Sequence, residues 1–203
     1  MSLIIAMSLF ALSMSISPGP VNLVTFSSGL NYGFLSSLPF VTGAALGFTL
    51  LLLVVGLGLG EIVALSPALM QVLAYAGSAF ICYMGYKIAT AHPELPGVPK
   101  RQPHFFQGAA LQWLNPKAWI ACLSGVSAFE ATADNGLFIF ASLYLVICFL
   151  SIAAWAFAGA RISALLGDSN KLQWCNRVMG VLLIIVALYL LYLHTGLLMG
   201  TAS

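Results

Sequence analysis

The chain reads as a series of long apolar runs separated by short polar or charged stretches. The runs cover about 2–30, 38–60, 67–90, 105–129, 136–159 and 177–199, each long enough to carry the roughly 20 apolar residues that a helix needs to cross hydrocarbon. A run such as "GLFIFASLYLVICFLSIAAWAFAGA" has no alternation of apolar and polar positions. Membrane β-barrels require that alternation, which leaves helices as the structures able to satisfy their own backbone in lipid. The pattern predicts an all-α integral membrane protein, a single transmembrane domain over 1–203 with six transmembrane helices. The first run lacks a basic leader and a small-residue cleavage signal, so it is expected to stay as a span.

Composition supports the same class. Charged residues are 6% of the 203, where a soluble domain carries about 25%. The seven Lys and Arg form no basic patch for nucleic acid. Their positions are informative: Lys100 and Arg101 follow the third run, with Lys87 at its edge, and Arg161, Lys171 and Arg177 follow the fifth. The stretches after the second and fourth hold Glu61, Glu130 and Asp134 with no basic residue. By the positive-inside rule the basic side is cytoplasmic, and both termini face outward. The proline-rich stretch 91–104 joins halves 1–90 and 105–203, each with three spans. An odd number per half makes the second half enter the membrane inverted, the plan of many secondary transporters, although any six-span chain divides this way.

Two runs are interrupted in ways a membrane helix rarely tolerates. "SISPGPVN" (Ser15–Asn22) breaks the first and "QWLNPKAW" (Gln112–Trp119) breaks the fourth. Each proline removes an N–H and displaces the carbonyl four residues earlier, freeing Met14, Ile16 and Gln112. At 1.5 Å per residue, Pro18 lies about 24 Å along its span and Lys117 about 18 Å along its own, both in the middle third of a core of about 30 Å. Paired interruptions at one depth in corresponding helices point to a transporter's substrate site. A helix restarting at Pro20 offers the N–H groups of Val21 and Asn22 to a carboxylate. Gly19 allows close approach, Ser17, Asn22 and Asn115 add neutral polar groups, and Lys117 is the one full positive charge inside a span. The freed carbonyls are candidate acceptors for an ammonium. The candidate substrate-binding set is therefore Ser17, Pro18, Gly19, Pro20, Asn22, Asn115, Pro116 and Lys117, with a small zwitterion as the fitting ligand. The competing readings are a packing kink at SPGP, and a Lys117 that merely donates to the carbonyl of Gln112 or Trp113.

Other features carry less. Cys82, Cys122 and Cys148 fall in apolar runs and read as packing residues; no metal or cofactor motif is present. Gly43 and Gly47 form GxxxG, a pattern for close helix packing or for a homodimer face. No buried nucleophile with a base, paired aspartates or HExxH supports an enzyme. Glu61, at the outer end of the second run, and Lys117 are the candidates for coupling to protons. A passive channel stays open as an alternative to a carrier.

These residues resemble the LysE/RhtB family of amino-acid exporters over essentially the whole chain. The resemblance rests on SPGP followed by Asn22 (with Val21 intervening, a departure), on "QGAALQWLNPKAW" with its NPKA segment, and on "YAGSAFICYMGYKIA" (Tyr75–Ala89). It implies proton-driven efflux of an amino acid through a bacterial inner membrane. The cysteine/O-acetylserine branch fits best and the homoserine/threonine branch nearly as well. No acidic residue lies deep in a span to neutralise a substrate side-chain ammonium, which argues against a cationic substrate.

Overall fold

A computed structural model describes residues 2–59, 67–91, 102–129 and 135–200. The first run becomes two helices, α1 (Ser2–Ile16) and α2 (Pro20–Tyr32), bent by 61° at the SPGP break. Then come α3 (Phe34–Val54), which ends in a π-helical turn Val55–Leu59, and α4 (Pro67–Ala89). The fourth run is also split, into α5 (Phe105–Trp113) and α6 (Pro116–Phe129). Two long helices follow, α7 (Gly136–Leu166) and α8 (Ser169–Gly200). Among the described residues there is no strand. Among the described residues, three stretches are long and apolar enough to cross a membrane, 34–58, 136–166 and 169–192; the bent pair α1–α2 makes a fourth if counted as one span.

Two boundaries differ from those read off the sequence. The fifth run, expected to stop near residue 159, continues as helix past Arg161 to Leu166. Gly167, at φ 55°, then ends it in the left-handed conformation that favours glycine. The sixth begins at Ser169 rather than 177, its first turn held by the Asp168 side chain, which accepts from Asn170 N at 2.9 Å. Polarity ends an apolar run without ending a helix, because a helix can project beyond lipid. Glu61, Lys100, Arg101, Glu130 and Asp134 lie outside the described residues.

The middle helix of each half packs on the broken helix of the other half: α3 lies along α5, and α7 lies along α1 and α2. The last helices of the halves, α4 and α8, pack on each other, as do α3 and α7. Bare backbones make the close approaches. A Cβ on Gly43 would collide with the carbonyl of Phe105, and one on Gly108 with the carbonyl of Phe40. Gly29 and Gly159 meet the Ala156 and Phe26 carbonyls in the same way. The GxxxG of α3 is thus occupied within the chain, which bears out the close-packing reading of Gly43 and Gly47 over the dimer-face one. Aromatic rings fill the centre: Phe48 stacks on Tyr144 at 4.2 Å, and Phe140 meets Tyr144 edge-on at 5.5 Å.

Polarity is inverted relative to a soluble protein. Leu182, Ile185, Leu188 and Tyr189 on α8 and Val146 and Leu150 on α7 are exposed, whereas Asn22, Thr25, Ser28, Ser37, Gln112, Asn115 and Asn176 are buried. Lipid as the surrounding solvent accounts for that distribution.

Candidate functional site

The two breaks meet. Lys117, in the first turn of α6, extends to the break before α2 and donates from Nζ to the Ser17 carbonyl at 2.9 Å and to Ser17 Oγ at 2.7 Å. The lysine therefore crosses between the halves rather than folding back onto Gln112 or Trp113. Gly19 makes room for it. Its backbone is extended, which any residue can adopt, but a Cβ there would sit 3.3 Å from Lys117 Cδ and Nζ. The close approach expected of Gly19 is to this lysine.

The carbonyls loosened by the prolines already have donors. Met14 O accepts from Ser17 Oγ at 3.2 Å and Ile16 O from Trp155 Nε1 at 3.1 Å. Gln112 O accepts from Asn115 N at 3.1 Å, and Trp113 O from Trp119 Nε1 at 2.7 Å. Asn22 Nδ2 donates to both Ser15 O (2.8 Å) and Ser17 O (2.9 Å), closing the break from the side of α2. The carbonyls expected to receive a ligand's ammonium thus each hold a protein donor already. Protein donors take them because a bare carbonyl in a dry interior is costly.

The two restarting helices differ at their N-termini. In α6, Asn115 Oδ1 accepts from Lys117 N at 3.2 Å, so part of the helix end is already capped. In α2 no side chain caps the end, and the first intrahelical bond runs from Leu23 N to Gly19 O at 3.0 Å. The N–H groups of Val21 and Asn22 are left over at the positive end of α2. That end opens on a small cavity of about 40 Å³.

Gly19, Asn22, Asn115 and Lys117 from the predicted set line this pocket, together with Val21. Ser17 contributes through Lys117, while Pro18, Pro20 and Pro116 shape the backbone without lining the space. Glu61 lies outside the described residues. The sequence reading missed Met14, Ser15, Phe48, Gln112, Tyr144 and Cys148, which also line it. Cys148, read as packing alone, is one of them. Gln112 stands inside the quoted QWLNPKAW segment and could have been included. Tyr144 and Cys148 are four apart on α7, one helical face, but nothing in a uniformly apolar run marks which face turns inward.

Compared with known proteins, residues 12–194 match the family described as LysE type translocator. Relatives named cysteine/O-acetylserine efflux protein align over 186 residues, 90% of this chain and 94% of theirs. The identity is 26% for the protein of Escherichia coli O139:H28 and 25% for those of Escherichia coli K12 and Shigella flexneri serotype 5b. No solved structure matches the chain significantly.

Proposed function

The chain belongs to the LysE family of translocators, and on that premise we propose that it exports small neutral amino acids or their derivatives across a bacterial inner membrane, as a proton-driven secondary transporter. The cysteine/O-acetylserine type is favoured over the homoserine/threonine type by the names of the aligned relatives. The observation that carries the reading is the junction of the two broken helices at one polar pocket, tied by Lys117 to Ser17.

In this reading the substrate carboxylate docks on the N–H groups of Val21 and Asn22 and draws Lys117 from Ser17, so binding loosens the tie between the halves. The buried amide of Gln112 and Asn22 Oδ1 are the acceptors left for the substrate's ammonium. Ser17, Pro18, Gly19, Pro20, Asn22, Asn115, Pro116 and Lys117 form the binding segment, and Lys117 or Glu61 takes part in proton exchange. The exchange of partners between halves, α3 with α5 and α7 with α1–α2, supports two inverted three-helix repeats. Six spans follow when α4 and the pair α5–α6 are counted as crossing, with both termini outside and 91–104 on the cytoplasmic side. A homodimer would use a face other than Gly43 and Gly47.

Purified protein in liposomes tests the reading. With an imposed pH gradient, a labelled neutral amino acid should accumulate against its own gradient, and collapse of the pH gradient should abolish accumulation. Equilibration without accumulation would instead indicate a passive channel.

A further inference from the structure

The pocket wall contains a polar spot that neither the helix N-terminus nor Lys117 explains. Ser15 is 8% exposed, and its Oγ has no hydrogen-bond partner. Its carbonyl is engaged by Asn22, so the backbone is fixed while the hydroxyl is left over. Leaving a buried hydroxyl unpaired is unfavourable, and a serine on an apolar wall could be alanine at no cost to packing. The Tyr144 hydroxyl and the Cys148 thiol, both from α7, come close to Ser15 without completing a bond to Oγ. The Tyr144 ring stacks on Phe48 and meets Phe140 edge-on, contacts that orient its hydroxyl. Around these three groups the lining is apolar: Met14, Phe48, Ala118, Ala121 and Ile152.

We propose that Ser15, Tyr144 and Cys148 form the subsite that reads the substrate's side chain, by hydrogen-bonding a short neutral hydroxyl, thiol or ester group. The inference rests on the reading of this pocket as an amino-acid site. The three groups can donate and accept but carry no charge, so they favour a neutral polar side chain over both an alkyl group and an ion. Discrimination arises because an alkyl isostere would leave Ser15 Oγ unpaired in the bound state, whereas a hydroxyl or thiol pairs it.

The test uses the full-length protein in liposomes and two isosteric pairs, homoserine with norvaline and cysteine with 2-aminobutyrate. Initial rates are compared within each preparation, so that any general loss of activity cancels. The wild-type protein should favour the polar member of a pair by about tenfold, one hydrogen bond's worth. Ser15→Ala and Tyr144→Phe should each reduce that preference several-fold, the second without disturbing ring stacking. Equal rates for polar and alkyl members in the wild type would overturn the subsite while leaving the exporter reading intact. An unchanged ratio in both variants would overturn it as well. If neither variant folds, the wild-type ratio decides. Transport of none of the four by folded wild-type protein would remove the exporter reading and the subsite together.

Discussion

Lys117 and Ser17 stand one hundred positions apart, and the two bonds between them join the halves at the breaks. A charge-assisted bond in a half-buried setting contributes about 1.5–3 kcal/mol, so the pair should be measurable as a unit. In a double-mutant cycle of Ser17→Ala and Lys117→Met, followed by thermal unfolding in detergent, the coupling should be on the order of 1 kcal/mol. Strict additivity would mean that the tie does not persist in solution. At Gly19 a methyl would press on the lysine at 3.3 Å, so Gly19→Ala should reduce transport several-fold with little effect on unfolding temperature. A bulky Gly19→Leu should abolish transport. The prolines and the buried lysine were legible at this scale, because each violates a rule of membrane helices that has few remedies. Their partners were not legible. Trp155, from the fifth run, takes the loosened carbonyl of Ile16, and which distant side chain does so depends on helix rotations that an evenly apolar sequence does not encode.

At the scale of elements, small residues decide how near helices come. Overfilling the contact between α3 and α5 with Gly43→Leu or Gly108→Leu should cost about 3 kcal/mol or more, seen as a large fall in unfolding temperature. Leu46→Ala, on the exposed side of α3, should change it by less than about 0.5 kcal/mol. A second device ties α2 to α8. Asn31 and Asn176 exchange amide hydrogen bonds, both at 2.7 Å, and Asn176 is fully buried. Asn176→Ala should cost about 1–3 kcal/mol by leaving Asn31 without its reciprocal partner. The helices themselves were legible from apolar runs and proline punctuation. Their ends were less so, as Arg161 inside α7 and Lys171 inside α8 illustrate: charge marks where lipid stops, and helices do not have to stop there. The asymmetric capping of α2 and α6 follows from the residue before each proline: Asn115 precedes Pro116 and caps its helix, whereas Gly19 precedes Pro20 and has no side chain to do so.

For the whole molecule, the arrangement is one of exchanged partners around a shared pocket, with apolar side chains outward and amides and hydroxyls inward. The family was legible from three motifs in order, and the match over residues 12–194 places the chain in it. The orientation rests on six basic residues on one side against none on the other. A reporter fused after Ser203 should accordingly be active only outside the cytoplasm, and one inserted within 92–101 only inside. The reverse pattern would invert the direction of transport argued from it. The central claim is that the pocket between the two breaks carries an amino acid outward. Its most direct test is to load bacterial cells with dipeptides and quantify each amino acid released to the medium, with Lys117→Met alongside. The account predicts selective release of a small neutral amino acid by the wild type, reduced at least tenfold in the variant at equal membrane abundance. Undiminished release by Lys117→Met, or no release by the wild type, would contradict it.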